Sequence, residues 1–209
     1  MIRKPFTLLA SAALLASALL HAQSAPKAAA SAPHAGHPAA KEMPHAAKLS
    51  KEQKMKMAMS AGPMEIAKNA TLIDMTDMAK VETMRAGTNG WNCYIMMMGK
   101  DLETMCLDKV WQKWAEAWMG KKEFKTSETG VAYMLNGDHG ASNTDPWATE
   151  KTADNHWVVA PPHVMVLLPD AKQLDAYPTD WKGGGPWVMW KGTPYAHIML
   201  PVSPKDAAK

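Results

Sequence analysis

The chain has 209 residues, 47% hydrophobic and 21% charged, a composition that can build a packed core and excludes disorder throughout. Its formal charge is +3, and setting aside Arg3 and Lys4, which fall in a segment expected to be removed, leaves 21 basic residues against 20 acidic. Such a balance excludes the basic stripe by which a nucleic-acid-binding protein displaces counterions.

Residues 1–22 read as a secretory signal peptide. Arg3 and Lys4 form its positive start, Phe6 to Leu20 is an apolar run, and Leu20-His21-Ala22 offers a small residue at the cleavage point. The run is shorter than the roughly 20 apolar residues a bilayer span needs. The mature chain is therefore expected to be periplasmic or secreted, with no transmembrane segment. Residues 23–62 are rich in Ala, Pro, Lys, His and Met without apolar periodicity, and read as a disordered tail. Six Lys against Glu42 and Glu52 give it a charge of +4, whereas 63–209 has 15 basic and 18 acidic residues. Lys48 to Met59 (KLSKEQKMKMAM) is expected to become helical only on contact with a partner.

From Pro63 onward the pattern is of short strands and short helices. Ala70–Asp74 and Glu82–Arg85 read as strands, Thr88-Asn89-Gly90 as a turn, and Trp91–Met97 as a further extended run. Asp108 to Met119 is the clearest helix, with Asp108 as its N-cap and Gly120 just past its end. Its Trp111, Trp114, Ala115 and Trp118 follow i, i+3, i+4, i+7 and line one face. Val131–Leu135 is a strand, followed by a long polar loop from Asn136 to Asn155. Trp157–Ala160 and His163–Leu168 are strands on either side of Pro161-Pro162, and Asp170–Ala176 is a short helix. Trp187–Trp190 and Tyr195–Pro201 form a hairpin. The strands do not alternate with crossover helices. The expected fold is thus α+β: one small domain, 63–209, with a largely antiparallel sheet packed against the Trp helix.

Cys93 and Cys106 are the only cysteines. In an oxidising compartment an even count points to a disulfide, worth about 3 kcal/mol in the chain-entropy view. The spacing is not the Cys-x-x-Cys of a redox pair.

The stretches RAGTNGWNC, GVAYMLNGD, GASNTDP, PPHVMVLLPD and GPWVMWKGTPYAHIMLPV resemble a group of uncharacterised exported bacterial proteins. The likeness runs from about Arg85 to Val202. It implies an exported single domain and carries no activity.

Two sets of residues point to copper. The 18 Met, beside two Phe, supply thioethers, soft neutral ligands that suit Cu(I), and imidazole suits copper in either state. The tail carries His34, His37 and His45 with Met55, Met57 and Met59, a set that a flexible segment could wrap around an ion. Within the domain, His163-Val164-Met165 and His197-Ile198-Met199 are both His-x-Met on expected strands, and residues i and i+2 of a strand share a face. If the two strands are neighbours, four ligands lie together. Competing with these is the polar loop 136–156. Its Asp138, His139, Ser142, Asp145 and His156 are residue types used in nucleophilic catalysis, although Gly-Ala-Ser-Asn is not the nucleophile-elbow pattern. Trp181 and Trp187 flank a glycine turn and could line a ligand cleft.

The leading expectation is an exported, non-enzymatic copper-binding or copper-handling protein using Met and His, exchanging metal with a periplasmic metal-handling partner. The alternative is a periplasmic ligand-binding module or small hydrolase organised around the 136–156 loop.

Overall fold

In the computed structural model, which describes residues 49–202, the fold begins with a capping box. Gln53 N donates to Ser50 Oγ at 3.2 Å and Ser50 N donates to Gln53 Oε1 at 2.8 Å, opening helix α1 (Lys51–Ser60). Ala58 and Ala61 face the sheet fully buried, while Leu49, Met55, Met57 and Met59 pack around them. Residues 49–62 therefore belong to the fold and correct the expected boundary at 62/63. The small Ala stripe has almost no amphipathic signature of its own and is legible as a core face only beside the surface it covers. The expected signal peptide, His34, His37 and His45 lie outside the described residues.

After the single-turn helix α2 (Met64–Ala67) come strands β1 (Thr71–Met75), β2 (Glu82–Arg85), β3 (Asn92–Met98) and β4 (Asp101–Leu107). Helix α3 (Lys109–Met119), β5 (Gly130–Met134), β6 (Ala141–Ser142), β7 (Trp157–Val158), β8 (His163–Leu167), β9 (Trp187–Met189) and β10 (His197–Pro201) complete the series, with 3₁₀ turns at Ala171–Ala176 and Trp181–Gly183. Eight strands form one sheet in the order β2-β1-β3-β4-β5-β8-β10-β9. All its pairings are antiparallel except β1 with β3. The architecture is α+β.

Strand β4 has no counterpart in the sequence reading. Leu102, Glu103 and Thr104 are all buried, so alternation, the signal of a half-buried strand, is missing. It follows β3 through the two-residue turn Gly99-Lys100, where Gly99 takes φ 62°. This hairpin places Cys93 directly opposite Cys106, and the two form the expected disulfide. The Ala58 carbonyl oxygen lies 3.7 Å from Cys106 Sγ, so α1 rests on the bridge.

The two faces of the sheet carry separate cores. Tyr133 packs in the α1 core, whereas its neighbours Ala132 and Met134 pack with Trp111 and Trp114 of α3. Successive residues of a strand point to opposite faces, so α1 and α3 cover opposite faces. Asp108 caps α3 as expected: its Oδ1 accepts from Val110 N and Trp111 N at 2.9 and 2.8 Å, and its Oδ2 from Val131 N at 2.6 Å. Gly130 lets the helix approach β5, since a Cβ there would meet Val110 and Trp111 atoms at 3.0–3.1 Å.

The 136–155 segment is not structureless. β6 pairs with β7 to form a separate two-stranded sheet, and Asn143 ties it to the main body. Asn143 Oδ1 accepts from Trp187 Nε1 at 3.2 Å, its backbone oxygen accepts from Trp190 N at 2.9 Å, and its Nδ2 donates to Thr179 O at 3.0 Å.

Candidate metal centre

β8 and β10 are neighbours, and their register sets Met165 directly opposite Met199. His163 and His197 lie on the same face as the two sulfurs, one to each side. The flanking strands extend the set: Met134 of β5 stands opposite His163, and Met189 of β9 stands opposite His197. The α3 face of the sheet thus carries three successive rows: Met134 beside His163, Met165 beside Met199, and Met189 beside His197. All six are buried.

Directly opposed residues of neighbouring antiparallel strands bring their Cβ atoms to roughly 5 Å, and diagonal neighbours to about 7–8 Å. His163 and His197 are offset by four residues, about 14 Å along the strands at ~3.4 Å per residue. Backbone register therefore groups each imidazole with a facing thioether and the central Met pair, rather than arranging four ligands as one square. Met134 and Met189 were not singled out in the sequence. Each sits at an alternate position of an expected strand, but only the strand order brings it beside a histidine.

The two histidines share one local design. His163 Nδ1 lies 2.7 Å from Pro161 O and His197 Nδ1 lies 2.9 Å from Tyr195 O, in each case the carbonyl two residues earlier. A carbonyl only accepts, so Nδ1 carries the hydrogen and Nε2 presents the lone pair. Burial pushes both imidazoles down to about 4, with the charge of His163 adding to the effect at His197. Both rings are neutral at pH 7, the form that ligates metals. His163 Nε2 is buried and has no hydrogen-bond partner among the described residues, a condition shared only by Trp111 Nε1.

An aromatic layer surrounds His197. Trp111, Trp114 and Trp190 meet it nearly edge to face at centroid distances of 5.2, 5.7 and 5.2 Å, and Trp114 stacks on Trp190 at 5.7 Å. The expected role of Trp187 in a ligand cleft is not what the structure shows: Trp187 is buried and bonded to Asn143. Among the described residues no three His, Cys, Asp or Glu side chains come together as a metal site. The set described here contains two imidazoles, and its other members are thioethers.

The helical tail methionines do not converge. At about 100° per residue, Met55 and Met59 share one side of α1 and Met57 lies on the other. All three pack in the α1 core, and Arg85 Nη1 approaches Met59 Sδ at 3.6 Å. This overturns the expectation of a flexible Met55-Met57-Met59 ligand set.

The loop residues are committed to other tasks. Ser142 Oγ donates to Asn155 O at 2.8 Å and accepts from Asp145 N and Thr144 N at 2.8 and 3.2 Å. Among the described residues no histidine bonds to it, so the expected pairing with a histidine of the loop is not formed. Asp145 is exposed and caps Trp147 N, and His156 is exposed with φ 45°, its ring 6.3 Å from Trp181. Asp138 Oδ1 accepts from Ala160 N at 2.9 Å, and burial, reinforced by the charge of Glu103, pushes its carboxyl up to about 7. His139 bonds Glu103 Oε1 through both its backbone N and its Nδ1, at 2.8 and 2.9 Å. Burial raises the Glu103 carboxyl as well.

Comparison of the chain with protein families, with curated proteins and with solved structures finds no match.

Proposed function

We propose that this protein is an exported, non-enzymatic Cu(I)-binding protein whose ligands are His163, His197, Met165 and Met199, arranged as two groups, His163 with Met134 and His197 with Met189, on either side of the shared Met165–Met199 pair. The observation that carries the reading is the register of β5, β8, β10 and β9. It collects two imidazoles and four thioethers on one buried patch of sheet. Soft thioether and imidazole donors suit Cu(I) over harder ions. The backbone carbonyl at each Nδ1 supplies the outer contact that orients a ligating histidine. The Cys93–Cys106 disulfide supports an oxidising compartment, where such bonds persist and thiolates are poor permanent ligands. A buried site of this kind exchanges slowly, which fits storage or guarded transfer to a metal-handling partner in the periplasm.

The test is anaerobic Cu(I) competition against a chelator of known affinity. Two forms of the full chain are compared, both with His34, His37 and His45 replaced by Gln so that only the fold reports. Met165→Leu with Met199→Leu keeps volume and hydrophobicity, so stability is expected to change by less than about 1.5 kcal/mol per swap. Cu(I) affinity is expected to fall at least about tenfold, or ~1.4 kcal/mol. Equal affinity in the two forms overturns the site.

A further inference from the structure

The methionines of the sheet do not stop at the buried patch. On the α3 side of β4 the outward sequence is Met105, Glu103, Asp101, and β3 contributes Tyr94, Met96 and Met98 on the same side, with Tyr94 opposite Met105 and Met96 opposite Glu103. β1 adds Met75, which pairs directly with Met96. Met75, Met96 and Met105 are all partly accessible, in contrast to the buried set. One residue beyond the paired Cys106 and Tyr133, Met105 and Met134 lie on neighbouring strands of the same face, and both pack in the α3 core. Thioethers therefore run from the half-open end of the sheet to the row that holds His163.

A histidine stands at the open end of this run. His139 donates from Nδ1 to Glu103, the residue whose register partner is Met96. Glu103 is almost wholly buried at 5% side-chain exposure, whereas the His139 side chain is 23% exposed. A carboxylate on one ring nitrogen is the arrangement that fixes a ligating imidazole and raises its basicity at the other. Here it leaves Nε2 as the ligating atom, on a ring held by the buried carboxylate that faces Met96 across β3 and β4.

Resting on the copper reading above, we infer that Met75, Met96 and His139, oriented by Glu103, form a second, solvent-facing site for a soft monovalent cation, and that it is the intake for the buried patch through Met105 and Met134. Ligand chemistry selects the ion: two thioethers and one imidazole suit Cu(I) or its redox-inert analogue Ag(I). Diagonal and direct neighbours along the run are spaced at about 5–8 Å, within reach of flexible Met side chains.

The experiment uses the full chain with 13C-labelled methionine methyl groups, observed individually by NMR during titration with Ag(I). The Met75 and Met96 methyls are expected to move in the first equivalent, before those of Met165 and Met199. With His139→Gln, moving the two outer methyls is expected to take at least about tenfold more Ag(I), while the disulfide-side Met97 signal reports an intact fold. With Met96→Leu, the inner methyls are expected to respond at least about tenfold more slowly after mixing. Outer methyls that stay fixed while the inner ones respond overturn the intake site and leave the buried site standing. Outer methyls that respond while the inner ones stay fixed establish the outer site and overturn the buried reading. An inner response of unchanged rate in Met96→Leu overturns the intake role.

Discussion

Ser142 shows how a residue of nucleophilic type becomes wholly structural. Its hydroxyl holds two backbone N–H groups and one carbonyl, and its own carbonyl accepts from Trp190 Nε1 at 2.6 Å. Ser142 holds Trp190 in the layer beside His197, and Asn143 holds Trp187 opposite Met199. Ser142→Ala leaves two N–H groups without their acceptor, and is expected to cost about 1–3 kcal/mol. Urea unfolding of the variant checks this, and an unmoved midpoint would show that the hydroxyl contributes nothing. The loop composition was legible in the sequence, but its purpose was not, because Asp, Ser, Asn and His stabilise turns as readily as they catalyse. The two His-x-Met triplets were legible for the opposite reason: alternation along one strand is local. Their partners Met134 and Met189 were not, since a Met in a strand carries no mark of the residue that will face it.

At the scale of elements, the docking of α1 is the clearest case of a segment stabilised by contact. Lys54 Nζ reaches Asp74 Oδ2 of β1 at 2.6 Å, and both side chains are largely buried at 17% and 14% exposure. Desolvation works to raise the Asp74 carboxyl, but the bonds from Lys54 and Thr76 outweigh it and hold the group below its usual value. A carboxyl lowered in the folded state contributes stability that is fully present above its unfolded value, near 4, and is lost as pH falls through the folded value. Asp74→Asn is therefore expected to be less stable at pH 7, by about 1–3 kcal/mol, with the difference shrinking once the pH drops below about 4. Denaturant midpoints of both proteins across pH 7 to 2 check the sign, and a gap that widens in acid would contradict it. β4 illustrates the reverse problem. Its buried run Leu102-Glu103-Thr104 hides the strand period, since α1 covers one of its faces while Glu103 is enclosed on the other beside His139.

At the scale of the molecule, the sheet holds two cores back to back, one closed by α1 and the other by α3. Removing residues 1–62 would uncover Leu72, Cys93, Ile95 and Cys106, all fully buried beneath α1. A chain of 63–209 is expected to lose at least about 3 kcal/mol against one beginning at residue 49, or to fail to unfold cooperatively. Thermal and urea denaturation followed by circular dichroism compare the two, and equal midpoints would mean that α1 is dispensable. What a few neighbouring residues encode was readable along the chain: the Asp108 cap, the indole face of α3, the strands β2, β5 and β8, and the paired cysteines, because caps, turns and periodicity act over less than one element. Strand order and register are different in kind. They follow from how both faces of the sheet are buried at once, through contacts between residues distant in sequence. Only that arrangement could bring Met134 to His163 and Met189 to His197, draw residues 49–62 into the fold, and commit the Ser142 hydroxyl to backbone groups.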